Sequence, residues 1–249
     1  MPRPFAVLTC LSILCAWLTC PTHAGQAADR LSDGTWQKVE EGEMHFRVYC
    51  EKKALRVKNG LPVVIYLHGR NWDMMSDDRF LNIPKSCTRA DFYKQRPCIV
   101  IAPQVPDKGS WNEANLKKVL GILDVIEKHF PVNKNRIYLT GYSMGSDGTY
   151  KLLALAPDRF AAAVVAAGRP NKKLAKSILP IPMRAFIGTE DDAPVVNNSR
   201  AFAKEMKALK SNDFVLTEFE GLGHNIGDKV FRKTEGLHPW LFKQQRKTK

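Results

Sequence analysis

Long apolar runs are scarce in this chain of 249 residues: only one exists, and it is N-terminal. A protein with many membrane spans is thereby excluded. Acidic residues are also in deficit, 25 Asp and Glu against 38 Lys and Arg, for a formal charge of +13. That imbalance raises nucleic acid or an anionic surface as a partner. Cysteine is sparse, six in all. No Cys or His spacing matches a zinc or haem site, so no metal is implied. Internal repeats and low-complexity linkers are missing too, which favours one domain over two. What is present is 44% apolar residues gathered into clear runs, enough for a core and a poor match to disorder.

The N-terminal run has the layout of an export signal. Arg3 supplies a positive start, Phe5 to Thr19 is apolar, and Thr22-His23-Ala24 offers small residues around a cleavage point. The run is short for a spanning helix. The expectation is a signal peptide over 1–24, a domain over 25–249, and a secreted or periplasmic product with no stable membrane span. Losing Arg3 lowers the charge from +13 to +12. Cys10, Cys15 and Cys20 also leave, so Cys50, Cys87 and Cys98 remain. In an oxidising compartment Cys87 and Cys98 can close a short loop with Cys50 free, and three buried thiols is the alternative.

Beyond the signal, β-branched runs alternate with amphipathic stretches. Leu61 to Leu67 and Cys98 to Ala102 are almost continuously apolar, as expected of strands buried on both faces. Leu116, Val119, Leu120, Leu123, Ile126 and Phe130 recur at helical spacing until Pro131. The pattern then predicts a strand over Arg136–Thr140, a helix over Thr149–Ala156 and a strand over Phe160–Ala167, where the alanines leave helix open. Next come a strand over Met183–Ile187, a helix over Asn198–Leu209, an edge strand over Phe214–Phe219 and a terminal helix over Leu237–Gln245. Arg246 to Lys249 reads as a frayed basic tail. Alternation of this kind predicts an α/β fold, a mostly parallel sheet with helices on both faces.

One motif stands out from the turns: Gly141-Tyr142-Ser143-Met144-Gly145, between a predicted strand and a predicted helix. A serine held on a strained strand-to-helix turn needs small neighbours, because side chains at Gly141 and Gly145 would collide with backbone. A serine hydroxyl is a poor nucleophile unless a histidine takes its proton and a carboxylate orients that histidine. These partners are expected in the order Ser, Asp, His, each in a loop after a strand. Gly188-Thr189-Glu190-Asp191-Asp192 follows one strand, and Gly221-Leu222-Gly223-His224-Asn225 follows another. His23 leaves with the signal, His45 lies in an early strand, His129 ends a helix, and His238 sits in a terminal packing segment. His224 is therefore the expected base. Asp191 is preferred as the acid, ahead of Asp192 and Glu190.

A tetrahedral intermediate needs two donors aimed at its oxyanion. One is expected from the backbone N–H of Met144, directly after Ser143. The other is expected from His68-Gly69-Arg70-Asn71-Trp72, with Arg70 N–H first and Gly69 next. Trp72, Trp111 and Tyr142 are candidates for lining the cleft, with plain packing as the alternative.

Several stretches carry a family resemblance: Tyr66-Leu67-His68-Gly69, Ser110-Trp111-Asn112, Asn135 to Gly145, and Pro157-Asp158-Arg159-Phe160-Ala161-Ala162. From about residue 60 to 228 the chain resembles α/β-hydrolases. It is similar to the secreted esterase and predicted-peptidase group related to polyhydroxybutyrate depolymerases, feruloyl esterases and phospholipase/carboxylesterases. The resemblance implies an α/β-hydrolase fold, Ser143 as nucleophile, Asp191 as acid, His224 as base and no cofactor. Two departures stand out: Ser146-Asp147 follows the elbow where such proteins often have small residues, and Arg70 occupies a position often held by Gly or Cys.

The function expected from these features is that of a secreted serine hydrolase acting on carboxylic esters, small molecules or polymer ends, through an acyl-enzyme. A serine peptidase of the same fold is one alternative. A non-catalytic hydrolase-fold protein binding anionic polymer or envelope surface is another, suggested by Lys172-Lys173, Lys204 to Lys210 and Arg246 to Lys249. The basic residues are dispersed and lack interleaved aromatics, so no nucleic-acid partner is expected. No long insertion suggests a large lid, and an open site favours soluble esters over buried lipid.

Overall fold

The apolar runs pair as their composition demands. The computed structural model describes residues 28–40, 42–106 and 109–246. The expected export signal and residues 247–249 lie outside the described residues. Strands β1 (Gln37–Val39), β2 (Phe46–Tyr49), β3 (Leu61–Leu67), β4 (Ile99–Pro103), β5 (Val132–Tyr142), β6 (Ala162–Ala166), β7 (Met183–Gly188) and β8 (Phe214–Phe219) join one sheet. Its order is β1-β2-β4-β3-β5-β6-β7-β8. The β1–β2 and β2–β4 pairs are antiparallel, and every pair from β4 to β8 is parallel.

Helices α1 (Ala90–Tyr93), α2 (Glu113–His129), α3 (Met144–Leu155), α4 (Ala175–Ile178), α5 (Ala193–Ala208) and α6 (Leu237–Lys243) are interleaved with the parallel strands. All residues of β3, β4 and β6 are buried, as continuously apolar strands require. Each fully buried Val, Leu or Ile contributes about 1.5–3 kcal/mol, so these central strands dominate the core. In β8, half-buried and exposed residues mix, which suits its edge position.

Several boundaries move for local reasons. Helix α3 begins at Met144, not Thr149, and β5 runs on to Tyr142 because Gly141 and Tyr142 still pair with β6. Helix α5 starts at Ala193, with Pro194 in its first turn, where a missing N–H costs nothing. Helix α6 ends at Lys243, ahead of the expected Gln245. Arg246 is no frayed tail: its backbone N–H donates to Asn135 O and its guanidinium to Asp158 O and Asn135 Oδ1.

The expected Cys87–Cys98 bridge is not formed. Cys50, Cys87 and Cys98 are all free and buried, which is the three-thiol alternative. Burial disfavours the thiolate and pushes Cys50 and Cys87 up to about 12, so these thiols serve as small apolar core groups.

Candidate active site

The strand-to-helix turn after β5 carries Ser143 at φ 55° and ψ −120°, outside the usual regions for a residue with a side chain. Such a conformation costs about 1–3 kcal/mol and persists only where its surroundings over-determine it. They do so here. The Ser143 N–H donates to Ala166 O at 2.9 Å, and its carbonyl accepts from Ser146 N–H at 2.9 Å. A Cβ at Gly145 would stand 1.8 Å from Leu67 O, and one at Gly141 2.3 Å from Gly145 O. Both glycines are therefore steric requirements of the turn.

The two residues that depart from the resembled pattern brace this turn. Ser146 is fully buried; its Oγ lies 2.8 Å from Gly141 O and 2.6 Å from Ala166 O, and accepts from Ala166 N–H at 3.0 Å. Asp147 accepts from the backbone N–H of Arg169 and from its guanidinium. The turn after β5 is thus tied to the end of β6.

His224 and Asp191 arrive on the loops after β8 and β7. His224 Nε2 lies 2.8 Å from Ser143 Oγ. Its Nδ1 lies 2.9 and 3.0 Å from the two Asp191 carboxylate oxygens. The geometry suits a tautomer whose Nδ1–H donates to Asp191, leaving Nε2 to accept the serine proton. The Asp191 side chain is wholly buried, while His224 is 40% exposed. Asp191 also accepts from the Asp192 N–H at 2.7 Å. Asp192 itself is exposed at the start of α5, and Glu190 is exposed too. The two loops are laced together: Gly221 N–H donates to Thr189 Oγ1 and Glu190 N–H to Leu222 O. A Cβ at Gly188 would sit 2.0 Å from Leu222 O, so this approach also depends on glycine.

The loop after β3 flanks the serine. The position a Cβ of Gly69 would take is 3.7 Å from Ser143 Cβ. Arg70 is exposed, so its side chain does not fill an internal pocket. Met144 is the first residue of α3, and the N–H at that position has no acceptor within a helix.

The aromatic residues divide by role. Trp111 is buried, and its Nε1–H donates to His68 O, which makes it packing. Trp72 stacks on Phe80 at 5.3 Å on one side and tilts against Tyr142 at 5.5 Å. Tyr142 donates to the carbonyl of His224 at 2.9 Å. From the sequence Tyr142 reads as cleft lining or plain packing, because a bond to a backbone carbonyl leaves no pattern. Among the described residues, no group of three or more His, Cys, Asp or Glu side chains converges into a metal site.

His68 is a second buried histidine, with a different environment. Val105 N–H donates to its Nε2 at 3.1 Å, so its proton lies on Nδ1, 2.6 Å from Gly69 O. Burial holds His68 down to about 4, and burial with nearby arginines does the same for His238. His238 meets Ser86 Oγ at 3.1 Å, in the packing role expected of it.

Both histidines are neutral in the fold but take up a proton in the unfolded chain below pH 6.5. Their contribution to stability is therefore complete above pH 6.5 and is lost as pH drops towards 4. The His68 share is about 3 kcal/mol, and the more accessible His238 adds less. Urea unfolding between pH 7 and 4 measures this slope, and a flat profile contradicts it.

The dienelactone hydrolase family matches residues 102–229, just over half of the chain, and this stretch holds Ser143, Asp191 and His224. The chain belongs to the dienelactone hydrolase family. Comparison with curated proteins finds no match. Among solved structures, a thermostable esterase aligns at 25% identity and TM-score 0.73, over 87% of this chain and 64% of its own. This dienelactone hydrolase family member thus spans less than two thirds of that esterase's length. The S-formylglutathione hydrolase FrmB of Staphylococcus aureus aligns at 15% identity and TM-score 0.65, over 84% of this chain and 96% of its own. A feruloyl esterase module of Clostridium thermocellum, complexed with sinapinate, aligns at 15% and 0.65, over 86% and 89%. The fold of the family member is that of the α/β-hydrolases, an esterase-like serine hydrolase fold, as the resemblance implied.

Proposed function

We propose that the protein is an exported serine hydrolase that cleaves carboxylic esters. One observation carries this reading: a serine on a strained turn lies 2.8 Å from an imidazole that a buried carboxylate orients. In the proposed cycle Ser143 Oγ attacks the ester carbonyl while His224 Nε2 takes its proton. Asp191 holds the imidazole in the accepting tautomer and stabilises the imidazolium. The N–H groups of Met144 and Arg70 bind the oxyanion. His224 returns the proton to the departing alcohol, leaving an ester of Ser143. Water, deprotonated by His224, then releases the acid and restores the serine.

The chain is read as a signal over 1–24 and one hydrolase domain over 25–249, delivered to the periplasm or outside the cell. Support comes from the composition of the N-terminus and from the single sheet whose strands β5, β7 and β8 lead into the turn and loops carrying all three residues. Among the described residues, no helix is long and apolar enough to cross a membrane. Substrates are small or polymer-end esters, and the cationic surface draws anionic ones closer.

A panel of p-nitrophenyl esters from C2 to C16, extended to feruloyl and acetyl-sugar esters, tests the reading. Turnover is expected to favour short acyl groups. A preference for C12 or longer contradicts an open cleft, and no turnover of any member contradicts the esterase reading.

A further inference from the structure

The loop that follows β3 is held at both ends by two consecutive residues of a different strand's exit. At its start, the N–H of Val105 donates to His68 Nε2 at 3.1 Å. At its far end, the carboxamide of Gln104 makes a two-sided contact. Its Oε1 accepts from Met74 N–H at 2.8 Å, and its Nε2 donates to Trp72 O at 3.0 Å, besides a bond to the neighbouring Val105 O at 3.2 Å that does not reach the loop. Residues 104 and 105 leave β4 side by side, so the pair brackets Gly69-Arg70-Asn71. Inside the bracket, Asn71 sits at φ 59°, a left-handed conformation that asparagine adopts more readily than other residues with a Cβ and that turns the chain sharply. Arg47 backs the same end: almost wholly buried, it donates to Met74 O at 3.2 Å and to Asp78 at 2.8 Å.

We infer that Gln104 is a positioning residue for the oxyanion-binding loop. It touches no reacting atom. By matching one backbone acceptor and one backbone donor on either side of Asp73, its carboxamide fixes where the chain leaves the loop, and hence where the Arg70 N–H stands relative to Ser143. An apolar side chain of the same length fills the space but provides neither bond. The loop is then free to relax at Asn71, and an oxyanion donor moved by an ångström loses about a hundredfold in rate. The inference rests on the serine-hydrolase reading above and names a residue that reading does not use.

The test compares wild type with Gln104→Met, nearly isosteric but lacking both bonds. Two readouts are followed: the rate of labelling by a fluorophosphonate, whose phosphoryl oxygen must enter the oxyanion site, and the steady-state constants on p-nitrophenyl acetate. Labelling and kcat are expected to fall together by about 10- to 100-fold with KM within about twofold, because the lost interaction acts only in the transition state. A role confined to stability lowers Tm and leaves both rates of the folded enzyme intact, which overturns the inference. Should Gln104→Met not fold, Gln104→Glu takes its place: it keeps an acceptor for Met74 N–H and loses the donor to Trp72 O. Wild-type rates in that variant likewise overturn the inference. Wild type that fails to label overturns the serine-hydrolase reading itself, and the inference with it. Wild type that labels beside an equally fast Gln104→Met overturns the inference alone.

Discussion

Alanine at Ser143 or at His224 is expected to cost about six orders of magnitude in kcat, and alanine at both no more than either alone. The expectation follows from the hydrogen-bond chain. His224 Nε2 has the Ser143 hydroxyl at 2.8 Å, and the proposed cycle begins when it takes that proton. Without the serine there is no nucleophile for the base to activate. Without the base, the hydroxyl keeps its proton, since an alcohol is a poor nucleophile at neutral pH. Groups that act as a unit lose nearly everything at the first deletion, so the second changes little. A residual acceleration of about 10³ over water should survive in each variant, supplied by binding and by the N–H groups of Met144 and Arg70 proposed as oxyanion donors. Single-turnover kinetics on an activated ester measure all four proteins. Additive losses contradict a Ser143–His224 unit.

Asp191→Asn is expected to lower kcat by about four orders with little change in KM, while Asp192→Asn stays within about twofold of wild type. The adjacent carboxylates differ completely in surroundings. Asp191 is buried, with both oxygens near His224 Nδ1, and Asp192 faces solvent at the start of α5. An asparagine at 191 has almost the same shape but offers an N–H to Nδ1. That favours the tautomer with hydrogen on Nε2, which cannot accept the serine proton. At 192 the change removes only a charge near a helix N-terminus, about 0.3–1 kcal/mol of stability. Equal losses at the two positions contradict the assignment of Asp191.

Much of this arrangement was legible in the residues, and the reasons differ by element. Leu61–Leu67 and the strand at 99–103 are unbroken apolar runs, and such runs have few places to go but the centre of a sheet. The turn at Ser143 was legible because two glycines at fixed offsets meet a steric demand, and the distances from Gly141 and Gly145 to backbone oxygen bear that demand out. An early strand beside His45 was legible, but not the burial of Arg47 in β2, a charged residue that reads as surface yet sits on three backbone and carboxylate acceptors. The start of α3 was hidden by Gly145, Ser146 and Gly148, poor helix formers; a Cβ would collide with Leu67 O at Gly145 and with the Trp111 side chain at Gly148. The choice between Asp191 and Asp192 turned on which carboxylate faces inward, and adjacent acids carry no periodicity to say so. The bonds of Gln104 to the loop left no trace in the sequence, because its partners Trp72 O and Met74 N–H are backbone atoms of distant residues.

Intact-mass and peptide analysis of the protein after exposure to a fluorophosphonate tests the central claim most directly. In that reaction Ser143 Oγ displaces fluoride at phosphorus while His224 takes the proton. The account predicts one adduct per chain, on the peptide that carries Ser143, and none in Ser143→Ala. Unlabelled wild type, or equal labelling of Ser143→Ala, contradicts it.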